Sequence, residues 1–163
     1  QLPNAHSLAA IQRILADPAV EAEHVVLEVT ETTLAAEVDG GIAALNTLKS
    51  FGVRIAIDDF GTGFSSLSTL ANLPVDILKI DGSFVSGQSS ATPSVPMLEG
   101  ILMLAKKLSL EVIAEGIETP EQLDLLRRLG CNRGQGYLLA RPSPAETVLA
   151  KGGLLHIALA ASS

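Results

Sequence analysis

The chain carries one cysteine, Cys131, so a disulfide framework is excluded, and its place after Gly130 reads as a small buried residue. Long apolar runs are also missing. The longest, Ile101 to Ala105 and the stretch from Leu154 to Ala161 that His156 interrupts, fall well short of the roughly 20 residues a spanning helix needs. No membrane segment is expected. The sequence has no basic start leading into an apolar core and a small-residue cleavage site, which together with the lone thiol fits a cytoplasmic setting. Basic residues are scarce: 11 Lys and Arg stand against 18 Asp and Glu, for a formal charge of -7. A broad surface for duplex DNA or RNA is thereby excluded, because such binding depends on many cations neutralising phosphates. A phosphate-bearing ligand would need a divalent cation to offset the carboxylates. His6, His24 and His156 are scattered and read as surface or helix-end residues rather than ligands. No Pro/Gly/Ser tract separates two halves and no useful internal repeat appears, so residues 1–163 are expected to form a single domain.

What is present is apolar material for one core, 47% of the chain, arranged in short Val/Ile/Leu-rich runs that alternate with helical stretches. The runs are Val25 to Thr30, Val53 to Asp58, Ile77 to Asp81, Glu111 to Ala114 and Gly136 to Leu139. This is the pattern of β-α units around a parallel sheet covered on both sides. Helices are expected over Ser7 to Ala16 and Asp39 to Ser50, the second ended by Gly52. Leu98, Ile101, Leu102, Ala105 and Leu108 recur at helical spacing and predict the buried stripe of another. Thr119, Pro120 and Gln122 predict a capping box with a first-turn proline, and Gly130 the stop. Ser143, Pro144 and Glu146 repeat the arrangement, with Gly152 as terminator of a C-terminal helix and a tail over 143–163. Ser86 to Pro96 reads as a mobile loop. Five such units fall short of a closed (β/α)8 barrel of about 250 residues, so the fold expected is a TIM-like α/β barrel lacking its first strands.

The charged residues are unevenly placed. Glu28 and Glu31 end the first run, Asp58 and Asp59 the second, Lys79 and Asp81 the third, and Glu115 and Glu118 follow the fourth. Carboxyl ends of parallel strands share one face, where α/β proteins build their sites. Any one of these acids could simply cap a following helix. Acids at four consecutive strand ends instead predict a cluster, and Lys79, between Leu78 and Ile80, needs a carboxylate partner inside an apolar strand. Oxygen donors without nearby histidine or cysteine suit Mg2+ or Mn2+ better than Zn2+. Gly61-Thr62-Gly63 could cradle a phosphate or form a tight turn, and Gln135 could bind a ligand or its own backbone.

Leu27-Glu28-Val29-Thr30-Glu31, Asp58-Asp59-Phe60-Gly61-Thr62-Gly63-Phe64-Ser65-Ser66-Leu67, Leu78-Lys79-Ile80-Asp81, Ala114-Glu115-Gly116-Ile117-Glu118-Thr119 and Gln135-Gly136-Tyr137-Leu138 occur in this order. Together they resemble the motifs of EAL domains from about Gln1 to Pro142. The resemblance implies a modified (β/α)8 barrel and metal-dependent hydrolysis of cyclic di-GMP to linear pGpG by the parent domain. It implies Glu28 as a ligand of the first metal, Asp58 as shared between two metals, and Asp59 as a ligand of the second. Lys79 matches the lysine that positions the attacking water, and Glu115 the acid that acts as base or second-metal ligand. Gln135 matches a substrate-lining amide and Glu31 the residue that braces the loop after Asp59.

The family's Glu-Ala-Leu signature and its Asn-Leu-Ser motif have no counterpart here, and Asn72-Leu73-Pro74 lies elsewhere. Gln1 aligns just beyond that asparagine, so the two-metal site is expected to be incomplete and these 163 residues alone weakly active or inactive. Gly82 replaces a basic residue common after the Lys-Ile-Asp motif. Two other readings are a cyclic-di-GMP receptor without turnover and a protein-interaction or homodimerisation piece formed by the Ala-rich tail and a helix around Asp59 to Leu73. An N-terminal regulatory or cyclase domain is a further expected partner.

Overall fold

The computed structural model describes residues 5–31, 33, 38–61, 67–86 and 94–150. Its elements alternate as the hydrophobic pattern predicts: α1 (Ala5–Leu15), a 3-10 turn (Ala22–His24), β1 (Val26–Thr30), α2 (Val38–Lys49), β2 (Arg54–Phe60), α3 (Leu67–Asn72) and β3 (Ile77–Ile80). There follow α4 (Gly82–Ser86), α5 (Ser94–Lys107), β4 (Glu111–Ala114), α6 (Pro120–Arg128), β5 (Arg133–Gly134) and α7 (Ala145–Ala150). The chain divides into two compact units, Gln1–Lys79 with Ala105–Glu111, and Ile80–Leu104 with Val112–Ser163. No described helix is long and apolar enough to cross a membrane.

In the first unit the strands neighbour one another in the order β1-β2-β3. β1 and β2 are parallel, with Val26 opposite Arg54, Glu28 opposite Ala56 and Thr30 opposite Asp58. Ile55, Ala56, Ile57, Ile77 and Leu78 are almost wholly buried, as expected for strands covered on both faces. Leu45 and Leu48 of α2 join that core, and α2 ends where Gly52 takes φ +92, a left-handed conformation that glycine adopts without penalty. Each buried Leu or Ile contributes on the order of 1.5–3 kcal/mol, so this unit is held chiefly by the strand–helix layer.

A charge lattice that the strand-end reading passed over ties the amino ends of the strands together. Asp76, just before β3, pairs with Lys49 Nζ at 2.6 Å, and its other carboxylate oxygen accepts the Ile55 N–H at 2.9 Å. Arg54, the first residue of β2, pairs with Glu111, the first of β4, at 2.7 Å. Burial acts to raise the Asp76 pKa, but the Lys49 and Ile55 hydrogen bonds and the Lys49 and Arg54 charges outweigh it, holding the group below its ordinary 3.8. A depressed folded-state pKa contributes stability that is present above the unfolded value and lost as pH falls through the folded one. Thermal melts carried downward through pH 3.8 should therefore show the wild type losing a stabilisation that Asp76→Asn lacks already at neutral pH. Parallel curves for the two proteins would contradict this.

In the second unit the order is β3-β4-β5, Ile80 being the part of β3 that belongs to it. The Glu115 N–H donates to Ile80 O at 3.0 Å, and β4 pairs parallel with β5 through Ile113 opposite Arg133 and Ala114 opposite Gly134. Along α5 the predicted stripe is buried at Leu98, Ile101 and Ala105. α6 has the expected reciprocal cap: Thr119 Oγ1 accepts the Gln122 N–H, and Gln122 Oε1 accepts the Thr119 N–H at 2.9 Å. Thr119→Ala should lower stability by about 1 kcal/mol, read as a drop in melting temperature, with little effect on ligand binding. The helix stops at Gly130, φ +78, and Cys131 beyond it is buried, with its thiol directed at Arg133 O and its pKa raised by burial.

Three sequence expectations are corrected. The fifth strand is Arg133–Gly134 rather than Gly136 to Leu139, which instead turns, with the Leu139 and Ala140 N–H groups both donating to Gly136 O. The cause is a backbone crossing: a Cβ on Gly136 would overlap the nitrogen and carbonyl oxygen of Ile117. Ser86 to Pro96 is not all loop, because α4 runs to Ser86 and α5 begins at Ser94. Pro96 falls in the first turn of α5, where its missing N–H has no intrahelical acceptor to lose. Third, β2 extends through Asp59 to Phe60, so a helix does not begin at Asp59, and the helix described in this stretch is Leu67–Asn72. The centre of the expected loop (87–93) and the tail from 151, with Gly152 and His156, lie outside the described residues.

Candidate active site

The register of β1 on β2 places Glu28 and Asp58 on the same face, two residues apart along the strands. Lys79 on β3 reaches both. Its Nζ lies 2.9 Å from Glu28 Oε2 and 2.9 Å from Asp58 Oδ1, and the residue is only 6% exposed. Leu78 and Ile80 on either side of it are fully buried. An ammonium in such surroundings is tolerated only when paired, and here residues from two neighbouring strands pair it. The expectation that Lys79 requires carboxylate partners is met by two of the acids predicted to cluster.

Asp59 follows with φ +54, one of two non-glycine residues in the left-handed region among those described. Asp tolerates this conformation better than most residues, and backbone held there is characteristic of functional sites. Glu31 is the second buried charged residue, 3% exposed, and its Oε2 accepts the Gly61 N–H at 3.0 Å across 30 positions of sequence. Gly61 itself takes φ +96. The carboxylate that closes the first β-strand run thus pins the backbone two residues beyond Asp59. Thr62 and Gly63 lie outside the described residues.

In the second unit, Asp81 proves to be a helix-end residue: its Oδ1 accepts the Ser83 N–H at 3.0 Å at the start of α4. The Ser83 side-chain hydrogen bond, opposed by burial and reinforced by the Ser83 and Gly82 N–H groups, lowers its pKa. Gly82 packs against Gly116, φ +65. A Cβ on Gly116 would lie 2.9 Å from the Gly82 Cα, and one on Gly82 would lie 3.2 Å from the Gly116 Cα. The glycine at position 82 therefore lets two backbone segments meet. Gln135 uses both its backbone groups, donating to Ala114 O at 2.8 Å and accepting from Ile117 N at 3.1 Å, which leaves its side chain for other partners.

Glu115 and Gln135 line one cavity of about 770 Å3, together with Asp81, Tyr137 and Arg141. The Arg141 guanidinium lies 4.5 Å from the centre of the Tyr137 ring, within cation–π range, and supplies a positive charge to a wall whose other charged residues, Asp81, Glu115 and Glu118, are acidic. Tyr137 belongs to the Gln135-Gly136-Tyr137-Leu138 motif, but nothing in the sequence pattern marked Arg141. His24, expected at the surface, is exposed and pairs with Glu21 at 2.8 Å.

The model of the family described as EAL domain matches residues 1–142. The chain belongs to the EAL domain family. Among curated relatives, EAL residues here are 41% identical over 150 residues to the bifunctional diguanylate cyclase/cyclic di-GMP phosphodiesterase MucR of Pseudomonas aeruginosa, covering 92% of this chain and 22% of that protein. The cyclic di-GMP phosphodiesterase NbdA of the same organism is 47% identical over 118 residues, 72% of this chain and 15% of that protein. The chain thus spans less than a quarter of the length of either relative. Among solved structures, that of the PaMucR phosphodiesterase in complex with c-di-GMP superimposes with a TM-score of 0.84 at 40% identity, covering 90% of this chain and 60% of that one. The EAL assignment agrees with the α/β class and parallel strand order found above, those of a partial TIM-barrel-like fold.

Proposed function

We propose that the protein carrying this chain hydrolyses cyclic di-GMP to linear pGpG in a reaction that depends on Mg2+ or Mn2+. The observation that carries the reading is the buried Lys79 held by Glu28 and Asp58 at the carboxyl ends of parallel strands, in a chain of the EAL family. The names of MucR and NbdA support the substrate, and membership of the family supports the reaction class.

The residues fit a hard divalent cation. Glu28, Asp58 and Asp59 offer oxygen donors, and the Lys79 ammonium already seated between Glu28 and Asp58 stands in for a cation there. Bound Mg2+ or Mn2+ would supply a nucleophile at neutral pH and charge compensation for the phosphate oxygens. Glu28, Asp58 and Asp59 would hold the ions, and Glu115 would serve as base or further ligand. Lys79, whose Nζ lies 2.9 Å from one oxygen each of Glu28 and Asp58, orients the attacking water. Glu31 fixes the backbone after Asp59 through Gly61, so the Asp59 carboxylate is presented in one place. Gln135 and Arg141 bind the nucleotide, Arg141 as a cation for its phosphates.

The test is chromatographic separation of cyclic di-GMP from pGpG after incubation with Mg2+ or Mn2+, and again with a chelator. Metal-dependent appearance of pGpG is expected. Binding of cyclic di-GMP with no product under either condition would instead make the protein a receptor.

A further inference from the structure

The gap between Glu28 and Asp58 is filled by a charge the protein provides itself. Lys79 Nζ sits 2.9 Å from one oxygen of each carboxylate, and the residue is 6% exposed between two fully buried neighbours. We propose that Lys79 is a resident counter-cation whose charge competes with the divalent ion at Glu28 and Asp58, so that the lysine, staying in place, sets the affinity of the site for the ion. The inference rests on the assignment of Glu28 and Asp58 as metal ligands.

Three features of the geometry argue for it. Two acids projecting from the same face of neighbouring strands repel unless a cation lies between them, and in this structure that cation is an ammonium. The lysine is also held in place. Its stem lies in β3 between Leu78 and Ile80, both 0% exposed, so withdrawal of the ammonium from the carboxylates would leave a buried charge without its partners. Finally, an ion that binds the remaining carboxylate oxygens meets a like charge a few ångströms away. Even strongly screened, repulsion at that range corresponds to a factor of about ten or more in affinity. The device keeps the acids in register before metal arrives and makes the metal easier to release.

A purely structural role predicts the opposite sign from this one. If Lys79 only props up the site, removing it weakens metal binding; if it competes, removing it tightens binding. Mn2+ titration of the protein, followed by the electron paramagnetic resonance signal of free Mn2+, separates the two. Lys79→Met should bind Mn2+ about tenfold or more tightly than wild type, Lys79→Arg close to wild type, and Asp58→Asn should lose most binding. In thermal melts, Lys79→Met should be less stable than wild type without metal and gain more from Mn2+. Equal or weaker binding by Lys79→Met, with Asp58→Asn still defective, overturns the competition and leaves the ligand assignment standing. Undiminished binding by Asp58→Asn overturns the ligand assignment, and the competition with it. If Lys79→Met does not fold without metal, Lys79→Gln, which keeps a hydrogen-bond donor and lacks the charge, carries the same titration. Failure of both to fold at saturating Mn2+ also overturns the proposal, since the lysine would then be needed by the fold itself and not as a charge set against the ion.

Discussion

Asp58→Asn is expected to lower kcat/KM for cyclic di-GMP by well over the roughly 100-fold that outer partners of a metal site command. Asp58 stands at the centre of the arrangement: it shares a strand face with Glu28, holds one side of the Lys79 ammonium at 2.9 Å, and precedes the left-handed Asp59. The substitution keeps the shape of the side chain and removes its charge. Lys79 retains Glu28 at 2.9 Å, so folding should survive and the loss should appear in turnover and in Mn2+ binding rather than in solubility. Because the interaction with the phosphate matters most as charge develops, the defect belongs mainly to kcat. Turnover within tenfold of wild type, measured by pGpG release, would remove Asp58 from the reaction.

Gly136→Ala is the second large effect, and it acts on stability. The added methyl would overlap backbone atoms of Ile117, and Ile117 cannot yield, because it is fully buried and its N–H and C=O are engaged by Gln135 and Leu138. Clashes against fixed backbone fall in the severe tail of single substitutions, so we expect a loss of about 3 kcal/mol or more, a drop of about 6–12 °C in melting temperature. Gln135, which precedes this crossing, should be displaced with it, and affinity for cyclic di-GMP should fall as well. Gly100→Ala is the contrasting case. Nothing lies within 4 Å of a Cβ there, and the position is interior to α5, so the change should stabilise by about 0.5–1 kcal/mol. Equal melting temperatures for the two variants would refute the backbone-crossing account.

Much of this was legible from the amino acids. The four longer strands follow from Val/Ile/Leu runs whose lengths match what a covered parallel strand needs, and the α6 cap from residues whose side chains reach only their own first turn. Lys79 announced its own requirement, since a lysine flanked by Leu78 and Ile80 must find acids nearby. The fifth strand was misplaced because its limit is a collision with Ile117, a residue nearly twenty positions earlier, which no local periodicity reports. The Asp76 lattice was missed for a related reason. Lys49, Arg54, Asp76 and Glu111 look like ordinary surface charges one at a time and become a unit only when three strands start side by side. Asp81 stands at a strand end and lines the cavity of Glu115 and Gln135, but its Oδ1 also accepts the Ser83 N–H at the start of α4, a second role that the strand-end pattern left open.

Local chemistry along the chain was enough to determine the alternation of strands and helices, the family, and the acids and lysine that stand at the strand ends, because period, capping and motif spacing act over a few residues. Which of those acids touch Lys79, which one caps a helix, and where the last strand stops were decided by the tertiary structure alone. Those outcomes depend on register and backbone approach between segments tens of residues apart, and contacts of that range leave no trace in neighbouring residues.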